Sequence, residues 1–247
     1  MKPSTGRAAP RFFVPLNLAP GAELELPERA AHHVAVLRLR DGDALTLFNG
    51  EGGEFAAQLT RVSRDTAHAR IVSASAIERE SPLAVRLALC VSGGERMDVA
   101  LQKATELGVT SIAPVASERS VVRLSAERAE RRLAHWRNVV IAACEQCGRN
   151  RVPEVAAIAE LEAFLAGAAD DGLHLLLAPD AATDLKTLGP ARAVTLLIGP
   201  EGGLSPEERR RAESRGFAPV RFGPRVLRTE TAPLAAIAAM QALWGDC

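Results

Sequence analysis

The most informative part of the sequence is residues 198–208, which read IGPEGGLSPEE. The apolar run before it, 194–198, is typical of a buried strand and stops at a glycine-rich turn. A helix start follows directly, because Ser205 suits an N-cap, Pro206 suits the first helical position, and Glu208 completes a capping box. The segment therefore predicts a strand, a tight loop and a helix N-terminus, the junction at which α/β proteins bind small ligands.

The loop lacks two common phosphate-binding patterns. It has neither the Gly-x-x-x-x-Gly-Lys-Ser/Thr pattern of a P-loop nor the Gly-x-Gly-x-x-Gly spacing of a dinucleotide fold. Glu201 also places a carboxylate in the turn, where it would repel a pyrophosphate. We therefore expect a cationic or neutral ligand. The alternative is a tight turn whose glycines only supply positive φ angles.

A second loop of the same kind occupies residues 223–233, GPRVLRTETAP. The strand-like run 219–222 precedes it, and a helix with apolar residues at helical spacing follows it. The loop carries Arg228 and Glu230, which are either functional or a solvated pair beside a threonine N-cap. Two such loops at the carboxyl edge of one sheet would converge on a single ligand.

Together these two segments closely resemble the RsmE family. Its members are S-adenosylmethionine-dependent methyltransferases of the SPOUT superfamily that methylate N3 of a uridine in 16S ribosomal RNA. The resemblance is carried by IGPEGGLSPEE and GPRVLRTETAPLAAIAAMQAL, and it extends over nearly the whole chain. Further matches are RFFV near the start and, in the middle, KATELGVTSIAPVASERSV and AACEQCGRNRVPEV.

The resemblance implies an α/β fold: a SPOUT-type parallel sheet with a C-terminal trefoil knot, preceded by a small PUA-like β-barrel domain. The expected organisation is a PUA-like RNA-binding domain at 1–73, a linker at 74–82 and a SPOUT methyltransferase domain at 83–247. The residue pattern agrees with both parts, because short strands separated by polar turns favour a small barrel and alternating strands and helices favour a parallel sheet.

The predicted elements follow from apolar periodicity and turn residues. In the first part, the expected strands are 11–16, 44–48, 54–62 and 67–72, and the expected helix is 28–37. In the second part, the expected strands are 83–91, 112–115, 173–178, 194–198 and 219–222. The helices expected there are 96–107, 126–147, 158–168, 206–215 and 232–244.

The resemblance also implies that S-adenosylmethionine is the cofactor and that the two loops hold it. The expected cofactor-binding residues are Leu176, Leu177, Gly199, Glu201, Gly202, Gly203, Gly223, Leu227, Arg228 and Thr231. The candidate catalytic residues are Arg228 and Glu230. Uridine N3 is a poor nucleophile until its proton leaves, so Arg228 would stabilise the resulting charge on the carbonyl oxygens. Glu230 would accept the proton or orient Arg228.

The formal net charge is zero, so any RNA contact must come from local patches. Residues 119–151 hold eight arginines and three acids, a local charge of +5. The candidate RNA-binding residues are Arg7, Arg11, Arg119 and Arg149. The resemblance implies 16S rRNA in the small ribosomal subunit as partner and a homodimer in which Arg119 and Arg149 approach the active site of the partner subunit. The alternative for an arginine-rich helix is a solvated face.

Metal and membrane sites are not expected. Cys144 and Cys147 form a C-x-x-C pair without the second pair of a zinc site, so we expect small buried hydrophobic residues. No apolar run reaches membrane-spanning length and no signal-peptide core is visible, which favours a cytoplasmic protein.

Two other functions stay open at this point. One is a SPOUT methyltransferase acting on another RNA nucleotide, and the other is a non-catalytic RNA-binding ribosome-assembly factor. The glycine loop, Arg228 and Glu230 disfavour the assembly factor. Cofactor binding would discriminate between an enzyme and such a factor.

Overall fold

The computed structural model describes residues 9–120, 125–168 and 171–247. The chain divides into two compact units. Unit 1 comprises Met1–Glu80 and Cys144–Val152, and unit 2 comprises Ser81–Ala143 and Pro153–Cys247. The expected domain limits at residues 73 and 83 stay a prediction. Arg7, one of the candidate RNA-binding residues, lies outside the described residues.

In its described residues, unit 1 contains a five-stranded mixed sheet, one complete helix and the last turn of a helix that begins in unit 2. Its elements are β1 (Arg11–Phe13), β2 (Glu23–Glu25), α1 (Glu28–Val36), β3 (Ala44–Phe48), β4 (Glu54–Val62) and β5 (Ala67–Ser75). The strand order is β1-β3-β4-β5-β2, in which β1 pairs parallel with β3 and the other pairs are antiparallel. The sequence did not predict β2, because three residues reading Glu-Leu-Glu are too short to show a period.

The core of unit 1 follows the period-two pattern of its strands. Ala67, Ala69 and Ile71 of β5 are buried and alternate with more exposed neighbours. Phe12 of β1 and Val34 of α1 belong to the same buried cluster. The sheet and the helix therefore share one hydrophobic core.

Unit 2 alternates strands and helices along the chain. Its elements are β6 (Ala84–Cys90), α2 (Glu95–Glu106), β7 (Val109–Ala116), α3 (Ala126–Cys147, whose last turn is part of unit 1), β8 (Glu154–Val155), β9 (Ala159–Glu160), α4 (Leu161–Ala166), β10 (Leu173–Leu177), β11 (Thr183–Asp184), a short 3-10 helix (Leu185–Thr187), β12 (Ala193–Ile198), α5 (Pro206–Ser214), β13 (Ala218–Arg221) and α6 (Thr231–Trp244).

The sheet of unit 2 is parallel throughout, which confirms the predicted α/β class. Its order is β11-β13-β10-β12-β6-β7-β8, and β9 also pairs with β7. Val194, Leu196 and Leu197 of β12 are fully buried, as expected of a strand with both faces covered. The order brings the carboxyl ends of β13, β10 and β12 side by side.

The differences from the predicted elements are small. The helix expected at 158–168 begins only at Leu161, because Ala159–Glu160 pairs with β7 as β9. Strands β8, β9 and β11 have two residues each and are too short for a periodic signal. Within the described ranges, no helix has both the length and the apolar character needed to cross a bilayer.

Candidate active site

A cavity of about 570 Å³ lies in unit 2, lined by the segments that follow β10, β12 and β13. These three strands are neighbours in the sheet, so their carboxyl ends meet at one edge. Most of the candidate cofactor-binding residues line the cavity: Leu176, Leu177, Gly199, Glu201, Gly203, Leu227 and Arg228. Glu230 lines it as well, whereas Gly202, Gly223 and Thr231 do not. The structure therefore brings the two predicted loops to one cavity.

The loop after β12 has the predicted helix start. The Oγ atom of Ser205 accepts the N–H of Glu208 at 3.2 Å, and the Glu208 carboxylate accepts the N–H of Ser205 at 2.8 Å. The N–H of Gly203 donates to the Pro200 carbonyl at 2.8 Å, and Gly203 has a φ of 66°. A Cβ atom at Gly199 would stand 3.1 Å from the nitrogen of Leu204. The tight path of this loop therefore depends on glycine.

Two contacts from the segment after β7 hold this loop. The second oxygen of the buried Glu208 carboxylate accepts the N–H of Glu118 at 2.8 Å. The Nη1 atom of Arg119 donates to the carbonyl of Gly202 at 2.9 Å. Gly202 thus supports the loop from outside the cavity. The RNA-binding role of Arg119 stays a prediction, and its contact in the structure is with the glycine loop.

The loop after β13 ends at the start of α6. The Arg228 carbonyl accepts the N–H groups of Thr231 and Ala232 at 2.9 and 2.8 Å, which fixes the residue at the helix N-terminus. The Arg228 side chain is exposed and Glu230 is half-buried. Neither side chain forms an ion pair within the described part of the chain. Both are therefore available to a ligand in the cavity.

Two ion pairs add charge to the cavity wall. Arg96 donates to Glu201 at 2.7 Å, and Arg209 lies 2.7 Å from Asp180. The hydrogen bond from Arg209 lowers the pKa of Asp180, so this carboxylate is ionised at neutral pH. Arg96 was not predicted as a site residue. Residues 91–96, VSGGER, nevertheless follow β6 with the same strand–glycine–helix pattern that is present in the loop after β12.

The candidate RNA-binding residue Arg11 is engaged inside unit 1. Its Nη1 atom lies 2.6 Å from Glu54, and its Nη2 atom donates to Asn150 at 2.5 Å. Burial opposes ionisation of Glu54, but hydrogen bonds from Arg11 and Arg79 outweigh it and lower the pKa of that carboxyl. Arg11 therefore sits in an internal ion network, and its RNA-binding role stays a prediction.

Arg149 is also buried in unit 1. Its Nε atom donates to Glu80 at 3.0 Å, and only 4% of the residue is exposed. The neighbouring Asn150 donates to the carbonyl of Ile77 at 2.6 Å. These contacts tie the segment after α3 to the rest of unit 1. Arg149 does not line the cavity, and its role in RNA binding stays a prediction.

The cysteines differ in burial. Cys144 is buried, and burial raises the pKa of its thiol to about 12. Cys147, the last residue of α3, is only half-buried, so the expectation of a buried residue is confirmed for Cys144 and wrong for Cys147. In the part of the chain that the structure describes, no three His, Cys, Asp or Glu side chains are grouped as a metal site.

Comparison with known proteins defines the class of protein. A model of the RNA methyltransferase domain matches residues 79–241, and a model of the RNA methyltransferase PUA domain matches residues 26–72. The fold and the cavity at the edge of its parallel sheet are therefore those of an RNA methyltransferase preceded by a PUA domain.

Individual relatives narrow the class. The ribosomal RNA small subunit methyltransferase E of Neisseria gonorrhoeae, solved with S-adenosylmethionine, is 44% identical with a TM-score of 0.91, covering 96% of this chain and 99% of its own. A methyltransferase of Legionella pneumophila in complex with the same cofactor is 42% identical with a TM-score of 0.94, and the match covers 98% of this chain and 100% of the Legionella chain. The ribosomal RNA small subunit methyltransferase E of Buchnera aphidicola is 33% identical, and the match covers 96% of this chain and 97% of the Buchnera protein. The chain belongs to this family, which confirms the resemblance to RsmE.

Proposed function

We propose that the protein transfers the methyl group of S-adenosylmethionine to N3 of a specific uridine in 16S ribosomal RNA of the small subunit. The observation that carries the proposal is the cavity between the two glycine loops. It lies on a fold that matches a cofactor-bound methyltransferase E over nearly the whole chain. Relatives from Buchnera aphidicola and Bacillus subtilis bear the same enzyme name.

The residues around the cavity fit S-adenosylmethionine. The cavity has a volume of about 570 Å³, which is typical of a small-molecule site. Leu176, Leu177 and Leu227 offer apolar walls to an adenine ring, and the glycine loop brings main-chain groups close. Glu201 and the ionised Asp180 suit the positive charges of the cofactor. When bound, the cofactor supplies an electrophilic methyl group, so the protein must position the acceptor and remove its proton.

Arg228 and Glu230 are suited to the acceptor side of the reaction. Glu230 would accept the proton of N3 as N3 takes the methyl group, and the bond between that methyl carbon and the cofactor's sulfur would break to leave a neutral thioether. Arg228 donates to a carbonyl oxygen of the base and stabilises the charge that develops there. Arginine does not titrate near neutral pH, so Arg228 acts as the fixed cation and not as the base. Both side chains line the cavity, and no carboxylate pairs with Arg228 among the described residues.

The C-terminal trefoil knot is part of the proposal. In the sheet, β13 lies between β10 and β11, although the chain joins β10 to β11 through the short segment 178–182. That connection must therefore pass around β13. After β13 the chain continues into α6, which packs on α2. This order of strands supports a threaded chain, which sequence rules do not anticipate.

The homodimer and the cytoplasmic location are proposals too. Val99 of α2 and Leu243 of α6 are large exposed apolar residues, and two packed helices carry them. Such residues suit an interface between two copies. A ribosomal RNA substrate supports a cytoplasmic location. The N-terminal unit would bind RNA through its PUA domain, and Arg119 beside the glycine loop would contact phosphate.

Arg228→Ala tests the site. We expect methyl transfer to unmodified small subunits, measured at saturating cofactor, to be lower by about 100-fold, as for loss of one oxyanion donor. Calorimetry measures the contribution of Arg228 to cofactor affinity separately. Arg210→Ala is the matched control, because Arg210 is an exposed arginine of α5 outside the cavity. Native transfer by Arg228→Ala would remove the catalytic assignment.

A further inference from the structure

A short turn follows β7 and lies against the glycine loop in unit 2. The N–H of Ser120 donates to the Ser117 carbonyl at 3.0 Å, and the hydroxyl oxygens of the two serines are 2.9 Å apart. The N–H of Glu118 donates to the buried Glu208 carboxylate, which ties the turn to α5. Arg119 is exposed, yet it projects from a turn that is held by its own hydrogen bonds and by α5.

Arg119 holds one peptide group of the glycine loop. Its Nη1 atom donates to the Gly202 carbonyl at 2.9 Å, and the N–H of the same peptide group, that of Gly203, donates to the Pro200 carbonyl at 2.8 Å. Because a peptide group is planar, the two hydrogen bonds fix a single rigid plane from its two edges. Pro200 and Gly203 line the cavity, so Arg119 acts on the cavity wall from outside.

Most of the Arg119 guanidinium is available to a second partner. The group has five N–H donors, and within the described residues the bond to Gly202 is the one hydrogen bond of this side chain. No carboxylate in the described part of the chain forms an ion pair with it. An exposed guanidinium with a free edge suits a pair of phosphate oxygens, the group that RNA presents along its backbone.

We propose that Arg119 is a positioning residue that couples RNA binding to cofactor binding, with one guanidinium edge on the Gly202 carbonyl and the other on an RNA phosphate. The phosphate restricts the long side chain to the conformation that holds the loop, so the cofactor meets a cavity wall that is already ordered. Coupling between two sites is reciprocal, so bound cofactor tightens RNA binding by the same factor. This inference rests on the proposed function and adds the regulation of its cofactor site.

Cofactor affinity measured with and without RNA tests the proposal. The probe is labelled S-adenosylhomocysteine, which has no methyl group to transfer. Its affinity is measured by equilibrium dialysis, alone and with small ribosomal subunits that lack their native modification, for the native protein, Arg119→Ala and Arg119→Lys. Arg210→Ala is the matched control, because Arg210 is an exposed arginine of α5 that pairs with Glu207 and does not line the cavity.

We expect the native protein and Arg210→Ala to bind the probe about fivefold more tightly when the subunits are present, a small factor for coupled sites because a single hydrogen bond transmits the effect. Arg119→Ala should bind the probe about fivefold more weakly without RNA, since that bond is lost, and should show no tightening with RNA. Arg119→Lys keeps a donor for the Gly202 carbonyl, so its affinity without RNA should be close to native. Its tightening should be smaller, because an ammonium group lacks a second edge.

Either of two results would overturn the inference alone. One is a native protein that methylates the subunits but binds the probe no more tightly in their presence. The other is an Arg119→Ala variant that keeps the native tightening, which would leave Arg119 as a support of the loop or as an RNA contact without a link between the two. Native protein that transfers no methyl group to any RNA would overturn the proposed function itself, so the two failures are distinguishable.

Discussion

Glu208 should be the residue through which the glycine loop is held in shape. Only 4% of the residue is exposed, and its carboxylate accepts two main-chain N–H groups at 2.8 Å, one from Ser205 and one from Glu118. Glu208→Ala leaves both donors without this acceptor. A donor that loses its partner in a buried place costs about 1–3 kcal/mol. Because Ser205 is buried and Glu118 is exposed to water, we assign about 2 and about 1 kcal/mol to them, or about 3 kcal/mol in total.

The assay is thermal unfolding of the native protein and three variants, with cofactor affinity measured in parallel. About 3 kcal/mol corresponds to a Tm lower by roughly 6–12 °C. Glu208→Gln keeps the volume and one acceptor, so its loss should be about half as large. Cofactor affinity in Glu208→Ala should fall by about tenfold, because binding must then order the loop.

Glu207→Ala is the matched control for this series. Glu207 lies in the same helical turn but is exposed and pairs only with surface arginines, so Glu207→Ala should unfold close to the temperature of the native protein. Equal unfolding temperatures of Glu208→Ala and Glu207→Ala, or native-like unfolding of Glu208→Ala, would refute this role of Glu208.

Three further outcomes are expected. Because the pKa of Glu54 is lowered, its ion pairs stabilise unit 1 at neutral pH and are lost as the pH falls. From about pH 5 downward, the native protein should therefore lose stability more steeply than Glu54→Gln. Equal stability of the two proteins across this acid range would contradict the prediction. Gly203→Ala should lower the free energy of unfolding, measured by denaturant titration, by about 1–2 kcal/mol, because alanine is strained at a φ of 66°. Gly202→Ala is the control, because its Cβ atom would stand at ordinary contact distance from its neighbours. In the native protein, a thiol reagent should modify the exposed Cys247 quickly and spare Cys144, because burial raises the pKa of the Cys144 thiol to about 12. Early labelling of Cys144 in the Cys247→Ser variant would show that Cys144 is not buried.

The sequence predicted the parallel sheet well because its signals there are local. The run before Gly199 is a strand that the structure buries completely, and the capping box at Ser205 and Glu208 forms as the spacing indicated. Where a junction combines an apolar run, glycine and a capping residue, neighbours in the chain settle the local structure. The same kind of signal is present before Arg96, whose part in the cavity emerged only from the folded chain.

Contacts between distant residues were beyond the reach of local patterns. Arg11 and Glu54 are 43 residues apart, and Arg149 and Glu80 are 69 apart. Local sequence does not distinguish an arginine that forms an internal ion pair from an arginine that faces RNA. The strands β8, β9 and β11 form for a similar reason, because pairing with a longer strand stabilises segments too short to have a pattern of their own.

The activity proposed for this protein is methyl transfer to a uridine of the small subunit. The most direct measurement is incubation of the protein with labelled S-adenosylmethionine and small ribosomal subunits that lack their native modification, followed by nucleoside analysis of the RNA. We predict that the label is recovered as N3-methyluridine at one position. Label in another nucleoside would contradict the assignment of the acceptor. Cofactor binding without any methyl transfer to RNA would contradict the proposed methyltransferase activity.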